Sequence, residues 1–106
     1  MDRNEKARRR QLDWRKTEDR IRCLVQDGQF ILRSHAFEKL EANDWTLDDL
    51  VESVRTGSII KAESDSQSID GKKYTVLGNG FGCVIESVGK IVGDDDCKQY
   101  VVITCY

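Results

Sequence analysis

The sequence predicts an α+β fold in which N-terminal helices pack on a roughly four-stranded antiparallel β-meander. Residues 3–26 contain neither Gly nor Pro, and residues 46–56 carry a helix-capping signal. After residue 57 the chain is dominated by β-branched and aromatic segments separated by polar turns. Helices followed by strands are typical of α+β domains. The 106 residues fit one domain, which we divide into a basic helical arm, residues 1–28, and a single α+β domain, residues 29–106.

The first helix is predicted over residues 3–26. One apolar stripe recurs along it at roughly helical spacing and consists of Trp14, Ile21, Leu24 and Val25. Gly28 is predicted to end this helix, since glycine is common just beyond a helix C-terminus.

A short strand or extended segment is predicted for "FIL", residues 30–32, followed by a short amphipathic helix. Ser34 is the predicted N-cap of this helix. Its predicted apolar face consists of Ala36, Phe37 and Leu40. The turn formers Asn43 and Asp44 are predicted to end it.

A further helix is predicted at about residues 46–56. Thr46 is its predicted N-cap, and Asp49 three residues later completes an Asp variant of the capping box. Trp45 and Leu50 occupy the positions of a hydrophobic staple, and Gly57 is predicted at the C-terminal end.

The remaining segments predict strands. "SIIKAES" is the first, and "KKYTVLGNGFGCVIESV" is predicted to form a hairpin with Asn79-Gly80 as a type I′ turn. "KQYVVITCY" is the last strand, and alternation places Val101, Ile103 and Cys105 on one of its faces.

Composition limits the class of protein. Residues 1–27 hold nine Lys/Arg and six Asp/Glu, which gives a charge of +3. Residues 28–106 hold eight Lys/Arg and thirteen Asp/Glu, which gives a charge of -5, and the two parts sum to the net charge of -2. No apolar run approaches the roughly 20 residues of a membrane span, and the N-terminus lacks the apolar core of a secretion signal. We therefore expect a cytoplasmic protein with reduced cysteines and no membrane partner. No Cys/His spacing is typical of a zinc site, so we expect neither metal nor cofactor.

The segment "SHAFEKLEANDWTLDDLVESVRTGSII" and the later strands "KKYTVLGNGFGCVIESV" and "YVVITCY" resemble a bacterial family. It is catalogued as domain of unknown function number 4258, and the resemblance covers residues 29–106. The family looks related to the RelE/ParE-like toxins, many of which belong to toxin–antitoxin pairs and cut RNA without a metal. His35 and Ala36 match the family's His-Ala. The chain departs from the pattern at residues 42–44, where Ala-Asn-Asp stands in place of Glu-Arg-Gly.

The resemblance implies a RelE-like fold and an RNA-directed site around His35. Metal-independent RNA cleavage needs a base for the 2′-hydroxyl, an acid for the leaving oxygen and cations for the phosphate. A neutral His35 can accept that proton, or it can instead make structural hydrogen bonds between strand and helix. With no second histidine, the acid would be Tyr106, Tyr74 or a lysine. The predicted catalytic set is His35, Arg33, Arg55, Lys73 and Tyr106.

The arm "KARRRQLDWRK" has two interpretations. Arg8, Arg9, Arg10 and Arg15 can bind nucleic-acid phosphates while Trp14 stacks on a base. Alternatively, its charges form ion pairs along a solvated helix, and Trp14 packs or contacts a second chain. The chain is therefore expected to be an RNA-cutting relative of the toxins, with RNA and an antitoxin-like protein as partners. The alternative is a non-catalytic interaction module that binds a partner or forms a homodimer through its N-terminal helix.

Overall fold

The computed structural model describes the backbone of residues 3–94 and 96–106, and the side chains of residues 14–94 and 96–106. Within these residues a helix and a strand are followed by two helices and four strands. The elements are α1 Arg3–Gln26, β1 Phe30–Leu32, α2 Ser34–Ala42, α3 Leu47–Thr56, β2 Ser58–Ser64, β3 Lys72–Gly80, β4 Cys83–Gly93 and β5 Lys98–Cys105. The fold class is α+β, as predicted.

The sheet has five strands in the order β1-β5-β4-β3-β2. Strands β2 to β5 follow one another antiparallel, whereas β1 lies parallel to β5, with Phe30 beside Tyr100 and Leu32 beside Val102. The sheet is therefore mixed, and the prediction of about four antiparallel strands is corrected. The sequence shows a three-residue apolar segment, but its pairing with a strand some 70 residues later depends on tertiary contacts rather than on local pattern.

The helices cover one face of the sheet. The core joins Ile21 and Val25 of α1, Ala36 and Leu40 of α2, and Leu50 and Val54 of α3 to alternate strand residues that include Val76, Ile85, Ile91 and Tyr100. The residues between those strand positions point to the other face, where Leu77 and Val84 are exposed. We call this second face the open face.

Two local helix signals are confirmed. Thr46 is the N-cap of α3, where its hydroxyl accepts from the Asp49 N–H at 3.1 Å and the Asp49 carboxylate accepts from the Thr46 N–H at 2.9 Å. Gly28 has a φ of 75° directly after α1, a conformation that glycine adopts without strain.

The β3–β4 hairpin turns at Phe81-Gly82, so the prediction of Asn79-Gly80 as the turn is wrong. Phe81 and Gly82 both have positive φ, at 44° and 95°, as a type I′ turn requires. Gly80 instead lies in β3, where the carbonyl of Asp49 lies so close that a Cβ would clash with it. The glycine is needed for the approach of α3 to the sheet, a reason that the hairpin pattern does not reveal.

Strand β5 contains a bulge at Ile103. Val88 pairs with Thr104 but Gly89 pairs with Val102, so one residue of β5 is unmatched. The bulge reverses the alternation, and Cys105 joins Tyr100 and Val102 in the core instead of sharing a face with Val101 and Ile103. The predicted face of Cys105 is therefore corrected.

All four cysteines are free thiols. No helix in the described part of the chain is both long and apolar enough to cross a membrane.

Candidate functional site

The start of α2 is held against the end of the sheet. Arg33 follows β1 directly, and its N–H donates to the Val102 carbonyl at 3.0 Å. The buried Ala36 contributes a carbonyl that lies 3.9 Å from the Sγ of Cys105. These contacts fix the first turn of α2 beside the C-terminal end of β5.

The N-terminus of α2 has no side-chain cap, so the prediction of Ser34 as N-cap is wrong. Arg33 is the N-cap residue, with φ -75° and ψ 158°, and its side chain makes no capping hydrogen bond. The Arg33 carbonyl accepts from the N–H groups of Ala36 and Phe37. Among the described residues no acceptor is found for the N–H groups of Ser34 and His35. Two backbone donors at the positive end of the helix dipole are therefore free to bind an anion.

The side chains around this helix start are exposed and include the sequence-predicted His35. The His35 side chain is 59% exposed, and its Nδ1 lies 3.6 Å from Glu38 Oε2, too far for a hydrogen bond. Arg33 is exposed, and the structure gives its guanidinium no carboxylate partner among the described residues. The first turn of α2 also contains no acidic residue. Cationic and protonatable groups thus flank the free backbone donors.

Two exposed aromatic side chains, Phe37 and Tyr106, lie on α2 and beside it. The ammonium of Lys39 lies 5.8 Å from the centre of the Tyr106 ring, within cation–π range. Tyr106 extends β5, since it exchanges two backbone hydrogen bonds with Glu86. Phe37 is 51% exposed, so its predicted place in the buried face of α2 is corrected. Phe37 is turned about 100° around the helix from the buried Ala36, whereas Leu40 is turned only about 40° from it. We call Arg33, His35, Phe37, Lys39 and Tyr106 the α2 corner.

Arg55 lies elsewhere, at the end of α3 on the side of α1. Its guanidinium binds Glu52 through two hydrogen bonds of 3.0 and 2.6 Å, and its carbonyl accepts from Arg22. The hydrogen bond to Arg55 lowers the pKa of Glu52, and the same bond raises that of Arg55. The charge of Arg55 is therefore matched by a carboxylate within its own helix.

Lys73 is also separate from the α2 corner. It precedes Tyr74 in β3, and Tyr74 pairs with Gly89 of β4. The Lys73 side chain projects from the open face, where it interacts with Asp65. Tyr106 pairs with Glu86, which lies four residues along β4 from the position opposite Lys73. With about 4.8 Å between strands and about 3.3 Å per residue, Lys73 and Tyr106 are roughly 16 Å apart. Lys73 and Tyr106 therefore lie on strands that are separated by the whole width of β4.

The predicted nucleic-acid contacts of the arm are described only in part. Arg15 lines a groove between α1 and β2, together with Trp14. The side chains of Arg8, Arg9 and Arg10 lie outside the described residues. The structure therefore places Arg33 and His35 at the start of α2 and Tyr106 beside Lys39 of the same helix, whereas Arg55, Lys73 and Arg15 lie on other elements.

Comparison with known proteins adds no relative: no family model, curated protein or solved structure matches the chain. The chemistry of the site rests on its own residues.

Proposed function

We propose that the α2 corner binds the phosphate backbone of RNA and cleaves it without a metal. The uncapped N-terminus of α2 carries this proposal, because it offers two free N–H donors to an anion and its first turn contains no acidic residue. Arg33 supplies the positive charge beside them. By contrast, the first turn of α3 contains two acidic residues, Asp48 and Asp49, whose charge disfavours an anion there.

The remaining groups of the corner fit single-stranded RNA. Exposed Phe37 and Tyr106 provide flat surfaces on which bases stack, and this contact tolerates any base. Lys39 beside Tyr106 adds a cation within one helical turn of His35.

In the proposed reaction, His35 takes the proton of the 2′-hydroxyl, and the 2′-oxygen attacks the adjacent phosphorus. The 5′-oxygen leaves and receives a proton from Tyr106 or Lys39, which gives a 2′,3′-cyclic phosphate and a 5′-hydroxyl. The α2 N–H groups and Arg33 stabilise the charge that develops on the phosphate oxygens. The RelE-like assignment of the fold and an antitoxin-like partner belong to the same proposal and rest on the resemblance of residues 29–106, whereas the proposed cytoplasmic location rests on the N-terminal sequence.

The test measures binding of a fluorescent single-stranded RNA by anisotropy, and its cleavage by gel in the presence of a chelator. Arg33→Ala should weaken binding about tenfold or more, as expected for loss of a charge-assisted hydrogen bond. It should also reduce the dependence of log K on log salt by about 0.7, the contribution of one phosphate contact. His35→Ala should abolish cleavage and leave most of the binding.

Arg55→Ala is the matched control, because it removes the same side chain from outside the corner. It should leave both binding and cleavage near wild type. A wild-type protein that neither binds nor cuts RNA overturns the whole proposal. Binding without cleavage retains the phosphate site and removes the catalytic role of His35.

A further inference from the structure

Strand β2 is the edge of the sheet opposite to β1, and it has one side without a neighbouring strand. The Asp65 N–H donates inwards to the Gly71 carbonyl at 2.8 Å. Inward and outward groups alternate along an antiparallel strand, so the N–H and C=O of Ala62 and Ser64 point outwards. In the described part of the chain no partner is found for these outward groups. The Ile59 N–H, also outward, is bound by the Glu18 carboxylate of α1 at 3.0 Å, so among the described side chains α1 hydrogen-bonds only to the first part of this edge.

A groove runs along the uncovered part of β2. It has a volume of about 540 Å³ and lies between α1 and the strand, with Trp14 and Thr17 on one wall and Ile60 and Ala62 on the other. Ile60 is 47% exposed. A strand added at this edge would therefore meet free backbone groups and a groove lined by both apolar and polar side chains.

The charges of β2 indicate which strand fits. Lys61 pairs with Thr75 and Glu63 with Lys73, so both side chains project from the open face. They lie two residues apart, and Lys61 Nζ is 3.3 Å from Glu63 Oε1. A two-fold axis at Ala62 would bring Lys61 of one copy directly opposite Glu63 of the other, and Glu63 opposite Lys61.

We propose that two copies of this chain pair antiparallel through β2 around a two-fold axis at Ala62. The Ala62 residues form the central hydrogen-bonded pair, where a small side chain allows close approach. The Lys61–Glu63 pairs on either side are non-hydrogen-bonded positions, where side chains come closest. Each lysine then has two glutamates as neighbours, and each glutamate has both Lys61 side chains in addition to Lys73 of β3. Such an interface is self-complementary, as a two-fold dimer requires, and it does not depend on the RNA proposal.

Edge lysines and bulges usually oppose strand pairing, and β2 has both, with a bulge between Ile59 and Lys61. The bulge restricts regular pairing to residues 61–64. The lysine opposes pairing only with a partner that lacks a carboxylate at the matching position. Because Glu63 supplies that carboxylate, β2 accepts its own copy in one register and disfavours other strands.

The experiment is sedimentation equilibrium of the full chain over a range of concentrations, with far-UV circular dichroism to verify folding. The wild type should approach twice 12.1 kDa at high concentration. Lys61→Glu alone and Glu63→Lys alone should each be monomeric, because each places like charges opposite one another. The double exchange Lys61→Glu/Glu63→Lys should restore the dimer, since it recreates the same pairs with the signs reversed.

Glu41→Lys on the exposed surface of α2 is the matched charge control and should dimerise like wild type. Ala62→Pro removes an outward N–H without disturbing the β2–β3 ladder and should abolish the dimer. High salt should weaken the wild-type dimer because it screens exposed charges. A chain that is monomeric at all concentrations overturns the proposal. So does a dimer that the single charge reversals leave intact, or one that the double exchange fails to restore.

Discussion

Giving α2 the cap that it lacks should stabilise the protein and weaken its binding of RNA. Arg33 already has the extended conformation of an N-cap residue, with φ -75° and ψ 158°, so a serine can replace it without a change in backbone. In the Arg33→Ser variant the new hydroxyl would then accept a hydrogen bond from an N–H of the first turn. That hydrogen bond competes directly with the proposed phosphate.

The expected gain follows from the energetics of helix capping. A serine, threonine or aspartate N-cap is worth about 1 kcal/mol relative to a residue that cannot cap. For a domain of this length a change of 1 kcal/mol shifts the melting temperature by roughly 4–8 °C. Arg33→Ser should therefore melt several degrees above the wild type, while its affinity for RNA falls at least as far as that of Arg33→Ala.

Two variants separate the cap from the charge. Arg33→Ala removes the guanidinium without supplying a cap, so it should weaken binding with little change in melting temperature. Thr46→Ala removes a cap that the structure shows in α3 and should lose about 1 kcal/mol, which calibrates the size of the effect in this protein. Thermal denaturation followed by circular dichroism, together with RNA anisotropy, measures both quantities.

Two results would refute this reasoning. If Arg33→Ser melts at or below the temperature of Arg33→Ala, the N–H groups of Ser34 and His35 are not free in solution. If Arg33→Ser is stabilised yet binds RNA as tightly as wild type, the start of α2 is not where the phosphate lies.

Other predictions concern the core and the turns. Burial, followed by the hydrogen bond to Asp70, raises the pKa of Tyr74 to about 12, and burial also raises that of Tyr100. The stability that these raised pKa values contribute is fully present below the unfolded pKa of about 10 and is lost as pH rises through the folded pKa values. Denaturant titrations between neutral pH and pH 11 should show this loss of stability, and the loss should be less steep with pH in Tyr100→Phe. Because the Tyr100 hydroxyl is buried without a partner among the described residues, Tyr100→Phe should also gain on the order of 1 kcal/mol at neutral pH; a loss of stability there would mean that the hydroxyl is satisfied. Gly80→Ala should lose about 3 kcal/mol or more, since its Cβ would clash with the Asp49 carbonyl, and an unchanged urea midpoint would contradict the packing of α3 on β3. Asp44 has a φ of 57°, so Asp44→Gly should gain roughly 0.5–1 kcal/mol by the same assay.

Features that depend on local hydrogen bonds could be read from the sequence. The capping box of Thr46 and Asp49 involves two residues three positions apart, and no distant contact is needed to satisfy it. The glycine after α1 likewise reflects a local conformational requirement. For this reason the start of α3 and the end of α1 were predictable.

Features that depend on close approach of distant segments could not be read in this way. The dipeptide Asn79-Gly80 is a strong turn signal by itself, yet Gly80 is needed where α3 contacts the sheet, and the turn lies at Phe81-Gly82. Ser34 is a favourable N-cap residue. The pairing of β1 with β5, however, continues to Leu32, and the helix begins directly afterwards, so that Arg33 is the N-cap residue. That shift of one residue leaves the N-terminus of α2 open.

The relative positions of the predicted site residues could be inferred only where the residues are neighbours in the chain. Arg33 and His35 lie two residues apart, whereas the position of Tyr106 beside Lys39 depends on β5 ending next to α2. Arg55 and Lys73 were selected by charge alone, and the fold places them on α3 and on the open face. Phe37 was assigned to the core by type, although its angular position on α2 exposes it.

The two proposals place the RNA sites far from the dimer interface. Pairing through β2 would create a sheet of ten strands. In this sheet the two β5 strands, on which the two α2 helices pack, are separated by seven strand spacings, or roughly 34 Å. Both α2 corners would remain accessible near the outer edges. An RNA long enough to reach both would bind the second corner at a high effective concentration, whereas a shorter one would use a single corner. Lys61→Glu should therefore weaken the binding of long RNA and leave that of short RNA unchanged. Such a length-dependent loss is expected only if RNA binds at the α2 corner and the dimer forms through β2. Neither proposal by itself predicts that a substitution in β2 changes RNA binding near the opposite edge of the sheet.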